Sequence, residues 1–469
     1  MRTSLLLASA FAMAVQASFW EMVPGAKHAH SAHQSDPLVV VAEEAIVDRA
    51  LIAEANAFDA PIGGGRRLIV CVDGTWNSPG SLADAHSMGG LKETAVLTPS
   101  NIVKLAYLLN PSDKHQFDPT NTDERVQFQK VYYHSGVATE QKDTKQAQLE
   151  GNFGNIHEHL LDAYAWLARE YQPGDEISAF GFSRGSTIVR SLFSFIRFAG
   201  LVDPSTFPDH STIRTSVLEA FNLYRTRQEH ETGHAARILA WKEAHCHPHV
   251  DLKLIAVMDT VEALDVPEGY SSILPSKYLT DIEESLGAIE PNNYHDLDIG
   301  LEVEHAYHAI AIDESREFFP PTLFEHVDPA HLKPNLVREQ RWFRGSHADI
   351  GGGWYETGLS NIVLDWMISN ARAAGLYVKP IEAFEAVYTP MLLGISKEDY
   401  LARSAVVKHD YFEWIGSKDG SSPMGKSIPR DLKGRYMAEG KFGASALHES
   451  VFEVLREEPV PVNLKPFFS

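Results

Sequence analysis

Glu176-Ile177-Ser178-Ala179-Phe180-Gly181-Phe182-Ser183-Arg184-Gly185 runs from a strand-like apolar segment into G-x-S-x-G. It then enters an apolar helical pattern through Ile188, Leu192 and Phe193. A serine at the turn between a strand and a helix, with glycine two residues to either side, is the pattern of a nucleophile elbow. The glycines are needed because the turn is tight and a side chain there would collide with neighbouring backbone. Such a turn holds the Ser183 hydroxyl off the sheet edge, where the N-terminus of the next helix favours developing negative charge. A structural turn serine is the competing reading, and the strand-before, helix-after context weighs against it.

The segments around the elbow repeat the alternation. Leu68 to Val72 is a continuous apolar run between Gly65 and Gly74, which suits a strand buried on both faces. Ser100 or Asn101 can cap a helix beginning at Ile102. Lys130 to Tyr133 reads as a short strand ending at Ser135-Gly136. Ile156 to Tyr171 carries Leu160, Leu161, Tyr164 and Leu167 at helical spacing and is stopped by Pro173-Gly174. This order predicts an α/β fold of α/β-hydrolase-like type, with a mostly parallel sheet flanked by helices. Residues 203–250 and 265–303 interrupt the pattern and read as cap-like or pocket insertions, with Tyr270, Ile273 and Leu274 as candidate apolar lining.

A serine hydroxyl needs a base, and the base needs an orienting acid. On this fold they follow the serine in the order acid, then histidine. The apolar run Leu252 to Met258 ends at Asp259-Thr260, which places Asp259 on the same rim as Ser183. Arg341-Trp342-Phe343 reads as a strand leading into Gly345-Ser346-His347-Ala348-Asp349-Ile350-Gly351-Gly352-Gly353, so His347 stands on a glycine-rich loop where the base is required. His448 is a rival, though it precedes a helix-like stretch, Val451 to Leu455. Asp349 is read as support for the His347 loop, and Asp313 as the backup acid. The oxyanion hole needs two backbone donors: Arg184, after the nucleophile, and Gly74 or Thr75 in the loop after the first strand. Asp73-Gly74-Thr75 also matches the end of the phosphatase motif D-x-D-G-T, but Cys71 stands where that motif has its nucleophilic aspartate. Asp73 is therefore kept as a supporting residue.

Composition excludes other classes. Asp and Glu total 63 against 41 Lys and Arg, a net charge of −22, and no basic cluster offers a nucleic-acid surface. Two cysteines, Cys71 and Cys246, do not make a disulfide scaffold, and a bridge between them has no local support. His245, His247 and His249 alternate around Cys246 and hint at metal, but no second ligand cluster accompanies them. His305 and His308 read as helical without H-E-x-x-H, so zincin chemistry is unsupported. No metal or other cofactor is called for. Arg2, the apolar stretch from Leu5 to Val15, and Val15 and Ala17 at positions −3 and −1 predict a secretory signal, residues 1–17, and a secreted or periplasmic protein. No other stretch reaches the ~18 apolar residues of a membrane span. Residues 18–65, with His28, His30 and His33 and an amphipathic pattern from Val39 to Phe58, read as a poorly organised segment ahead of a catalytic domain at 66–469.

Taken together, the ordered blocks resemble the α/β-hydrolase domain of the type VI secretion phospholipase effectors and their uncharacterised relatives. The blocks are V-D-G-T-W-N at Val72 to Asn77, H-S-G-V-A-T at His134 to Thr139 and Y-Q-P-G-D-E-I-S-A-F-G-F-S-R-G at Tyr171 to Gly185. They continue in V-M-D-T-V at Val257 to Val261, H-A-I-A-I-D-E-S-R at His308 to Arg316, W-F-R-G-S-H-A-D-I-G-G-G-W at Trp342 to Trp354 and L-H-E-S-V at Leu447 to Val451. The resemblance implies a triad of Ser183, Asp259 and His347, the three residues already chosen by position. It also implies ester hydrolysis on lipid, with phospholipids the leading substrates. A secreted esterase on other acyl esters or polyesters is the second reading, and a non-catalytic binding protein on a hydrolase fold the third. An inhibitor or immunity partner is not legible in the sequence.

Overall fold

The apolar runs Leu68 to Val72 and Leu254 to Met258 become parallel strands of one sheet, because only a strand covered on both faces needs apolar side chains at every position. The computed structural model describes residues 65–75, 77, 82–84, 95–110, 129–136, 156–226, 233–261, 296–317, 319–325, 335–354, 356–384, 408, 421–422, 425–432, 446–454, 460–461 and 463–465. The chain runs through β1 (Arg67–Val72), a short antiparallel pair β2 (Leu82–Asp84) and β3 (Ala95–Leu97), α1 (Asn101–Leu109), β4 (Gln129–His134), α2 (Ile156–Glu170) and β5 (Glu176–Phe182). It continues through α3 (Arg184–Ala199), α4 (His210–Arg225), α5 (His234–His245), β6 (Asp251–Met258), β7 (His305–Ala311), β8 (Val337–Phe343), α6 (His347–Gly351) and α7 (Gly358–Ala373). A second short pair, β9 (Ser421–Ser422) and β10 (Gly425–Lys426), and α8 (Ser450–Val454) follow.

The main sheet has six strands in the order β4-β1-β5-β6-β7-β8, and every neighbouring pair is parallel. From β1 the chain crosses outward to β4, and from β5 it crosses the other way to β6. The C-terminal ends of β1 and β5 therefore flank the point where the winding reverses, where open α/β sheets open a crevice. Gly74-Thr75 leaves β1 there, and Ser183 leaves β5.

Alternate side chains of each strand feed two cores. Leu68, Val70 and Val72 pack with α2, α3, α4 and α5, whereas Ile69 and Cys71 face the opposite layer with α1 and α7. The sheet thus separates Cys71 from Cys246, which belongs to the first layer; both thiols are free and buried, so no bridge joins them. Residues 203–250 fold into α4 and α5, whose Val217, Phe221, Tyr224 and Trp241 enter the α3 core. Of the stretch 265–303, only 296–303 is described; Tyr270, Ile273 and Leu274 lie outside the described residues, as do the signal-like and amphipathic segments of residues 1–64. A third cluster joins Ile310, Ile312 and Trp342, around the ends of β7 and β8, to Leu432, Leu447, Val451 and Leu464. Through it the C-terminal stretch is fastened to the strand ends that carry the site.

Two sequence expectations are corrected. His305 and His308 lie on strand β7, not on a helix. β7 runs between β6 and β8 with nearly every side chain buried, and Ala306, Ala309, Ile310 and Ala311 suit that position. His347 opens the one-turn helix α6, not a loop: Ser346 and Asp349 form a capping box that starts a helix at that residue.

Gly185 shows how closely the elbow is fitted. A Cβ there would come 2.5 Å from the carbonyl oxygen of Asp73 and would overlap that of Val72. Gly185→Ala should destabilise the fold by about 2–3 kcal/mol, measured by urea unfolding, whereas a change at the exposed Leu239 should move the same midpoint little.

Candidate active site

Ser183 follows β5 with φ 57° and ψ −123°, a backbone state that costs about 1–3 kcal/mol for a side-chain-bearing residue and persists only where surroundings enforce it. The enforcement comes from Met258 at the end of β6. Its carbonyl accepts from the Ser183 amide at 2.9 Å and from the Ser186 hydroxyl at 3.1 Å. Asp259 is the only other non-glycine residue with positive φ, 40°, among the described residues; its amide donates to Ala309 on β7 at 2.7 Å. Backbone strain is therefore concentrated at two adjacent strand ends.

Asp259 is fully buried and its carboxylate has three partners, His347, Ala311 and Arg430. His347 Nδ1 lies 2.6 Å from Oδ2. The Ala311 amide donates to Oδ1 at 3.0 Å, and Arg430 spans both oxygens, Nη1 to Oδ1 at 2.8 Å and Nη2 to Oδ2 at 2.9 Å. Burial alone would raise this carboxyl; the Arg430 charge and the bonds from His347 and Arg430 outweigh it and hold the group well below the usual carboxylate range. With Nδ1–H donating to Asp259, Nε2 is the imidazole nitrogen left to accept a proton.

The His347 ring is fixed from several sides. Phe182 packs at 4.7 Å and Phe319 edge-on at 5.3 Å between ring centroids. The backbone amide of His347 donates to Glu314 Oε2 at 3.1 Å. Glu314 also accepts from the Arg316 amide and its guanidinium, and Arg316 lies over the Phe319 ring at 3.6 Å. Burial works against the Glu314 charge, but Arg316 and the neighbouring cations bring its carboxyl down to about 2. Burial also lowers the His347 pKa, a shift that the Asp259 bond only partly offsets.

The remaining predicted residues have distinct places. The Asp73 carboxylate accepts from the Gly74 amide at 2.8 Å, the Ser100 hydroxyl at 2.7 Å and the Tyr133 hydroxyl at 2.8 Å. Burial raises it to about 6 against those three donors. Its place is beneath the β1 loop, and it engages the Gly74 amide that was an alternative oxyanion donor. Asp349 caps α6 through the Ser346 amide at 2.8 Å. Asp313 holds Arg344 and the Gly345 amide, both at 2.7 Å, so it braces the turn before His347 and leaves Asp259 as the acid beside the imidazole. His448 stacks on Phe343 at 4.3 Å and bonds Ser450. His245 stacks on Phe207, His247 packs on Tyr171, and His249 is exposed beside Asp251. The three alternating histidines thus face three different surroundings.

Arg430 and Glu314 escape sequence reasoning. Glu314 sits in a block quoted above, one residue after the Asp313 chosen as backup. Arg430 is 171 positions from Asp259, with no local pattern to single it out.

The arrangement places a strained serine, a histidine with one nitrogen committed to a carboxylate, and that carboxylate on one sheet rim. Residues 66–370 match the family model described as T6SS, Phospholipase effector Tle1-like, catalytic domain. The chain belongs to this family. The family match contains Ser183, Asp259 and His347 but ends before Arg430. An uncharacterized protein of Saccharomyces cerevisiae, YEL023C, is 32% identical over 98 residues, 19% of this chain and 14% of its own length. The chain therefore spans a small part of that relative. Among solved structures, an uncharacterized protein from Pseudomonas aeruginosa is 14% identical with a TM-score of 0.35, over 78% of this chain and 51% of the other. The Tle1 effector bound to the VgrG spike from the type 6 secretion system is 16% identical with a TM-score of 0.36, over 82% and 89%. No helix among the described residues is long and apolar enough to cross a membrane.

Asp259→Asn should cost about 3–5 kcal/mol of stability near neutral pH, because Arg430 loses its buried counter-charge. The folded carboxyl lies below its ordinary 3.8, so its stabilisation is complete above that pH and is lost as pH falls below it. Urea unfolding should show a constant gap between wild type and variant from about pH 5 to 8 that narrows below about pH 4.

Proposed function

We propose that the protein is a serine-dependent phospholipase. Ser183 Oγ attacks an acyl carbonyl while His347 Nε2 takes its proton. Asp259 holds the imidazole in the required tautomer and stabilises the imidazolium. The backbone amides of Arg184, first residue of α3, and Thr75 receive the oxyanion; with Gly74 turned to Asp73, Thr75 is the donor from the β1 loop. His347 returns the proton to the leaving alcohol oxygen, and water then cleaves the acyl-enzyme by the same route. The observation that carries this reading is the 2.6 Å Asp259–His347 contact on the rim where Ser183 is held in a strained turn.

The Arg184 side chain favours a phosphate-bearing substrate over a neutral ester. Burial lowers its pKa to about 9, and no carboxylate pairs with it among the described residues. Arg190 is capped by carbonyls of Leu297, Thr322 and Leu323, and Arg344 by Asp313. A cation next in sequence to Ser183 and without a counter-charge among the described residues suits an anionic headgroup. The signal-like segment 1–17 supports action outside the cytoplasm.

Fluorophosphonate labelling of wild type and Ser183→Ala, with fatty-acid release from phosphatidylglycerol vesicles and hydrolysis of a short neutral ester, tests the reading. Labelling and both activities should disappear in Ser183→Ala, with a loss of at least about 10³-fold. Short-ester turnover without fatty-acid release would reject the phospholipid assignment, and absence of labelling in folded wild type would reject the serine mechanism. Arg184→Gln should lower kcat/KM on the phospholipid about 10-fold or more relative to the neutral ester.

A further inference from the structure

The histidine side of the site has a member that neither the motifs nor the family match includes. Arg430 is brought to Asp259 by residues 427–432. Ser427 bridges to Arg316, the Ile428 amide donates to Ser315 at 2.7 Å, and Leu432 is buried in the third core. The Arg430 guanidinium also donates to the carbonyls of Ala311 and Phe319. A planar fork held by two carbonyls and facing both carboxylate oxygens has one orientation available, which a lysine ammonium lacks. Asp259 therefore cannot rotate away from His347.

Charge is the second consequence. A carboxylate alone beside a buried imidazole draws a proton onto it, since imidazolium and carboxylate attract strongly away from water. A guanidinium on the same carboxylate balances that charge. We propose that Arg430 is a positioning residue for the reaction, clamping Asp259 and neutralising the Asp259–His347 pair so that His347 stays unprotonated, and ready as a base, in mildly acidic solution. The other charged groups around His347 fit this assignment. Glu314, below its backbone, is itself neutralised by Arg316. Phe182 and Phe319 present uncharged rings. His308, behind Asp259, accepts from the Thr260 amide through Nε2 at 3.1 Å, and burial holds it at about 3, so it carries no charge there. Arg430 is the cation that balances Asp259.

The inference rests on His347 being the base of the proposed serine mechanism. Its test is the pH dependence of kcat/KM on a soluble ester for wild type, Arg430→Lys and Arg430→Met, together with an NMR titration of the His347 imidazole in the wild-type protein. Arg430→Met should move the acidic limb up by about one pH unit or more, whichever member of the pair holds the added proton. Arg430→Lys should keep the limb near the wild-type position while kcat falls. A residue with only a structural part would lower activity equally at every pH, so an unmoved limb in folded Arg430→Met overturns the proposal. Should that variant not fold, the NMR titration of His347 in Arg430→Gln, which removes the charge and keeps a planar donor, decides: a pKa above the wild-type value is expected, and an unchanged one overturns the proposal. Absence of esterase activity and labelling in wild type would instead count against the serine mechanism, while the NMR titration would still report on the charge balance.

Discussion

A carboxylate sealed from water has to be balanced, and the architecture around Asp259 is arranged to do so. The β6 end delivers it, the β7 end supplies the Ala311 amide, the α6 start supplies His347, and the C-terminal stretch supplies Arg430. Each donor comes from a different part of the chain, so the carboxylate acts as a clasp joining the β6 and β7 ends to α6 and the C-terminal stretch. A buried ion pair of this kind is weak evidence for added stability. What it provides is one fixed geometry, at the place where a loose imidazole would be of least use.

The Ser183 side is built by a different means. There, close packing of backbone does the positioning: Gly185 admits the Val72 and Asp73 carbonyls, Met258 anchors the serine amide, and Asp73 gathers Gly74, Ser100 and Tyr133. Ser100 also caps α1 through the Val103 amide, and its neighbour Asn101 donates to Ile350 at the end of α6 and to Ser360 in α7. The two halves of the site are thus tied through the first turn of α1.

Much of this was legible in the sequence because it is local. The runs at 68–72 and 252–258 announce doubly covered strands, and G-F-S-R-G announces its own turn. Asp259 and His347 can be singled out together because strand ends on a parallel sheet share one rim, and the two side chains meet there at 2.6 Å. His305 and His308, three apart, suggested a helix, although the same segment pairs with strands on both sides. Arg430 was invisible because its partner lies 171 residues away, and nothing in a one-dimensional pattern reports that a tail folds back onto β7.

That return has a consequence for how the molecule comes into being. Chains emerge from the ribosome N-terminus first, so Ser183, Asp259 and His347 are all synthesised before the segment bearing Arg430. During that interval a nascent chain holds Ser183, Asp259 and His347 while Asp259 still lacks Arg430 and the third core its partners Leu432, Leu447 and Leu464. The finished geometry arises only once residues 427–432 have docked, so the order of synthesis sets an interval in which Ser183, Asp259 and His347 exist before their surroundings are complete.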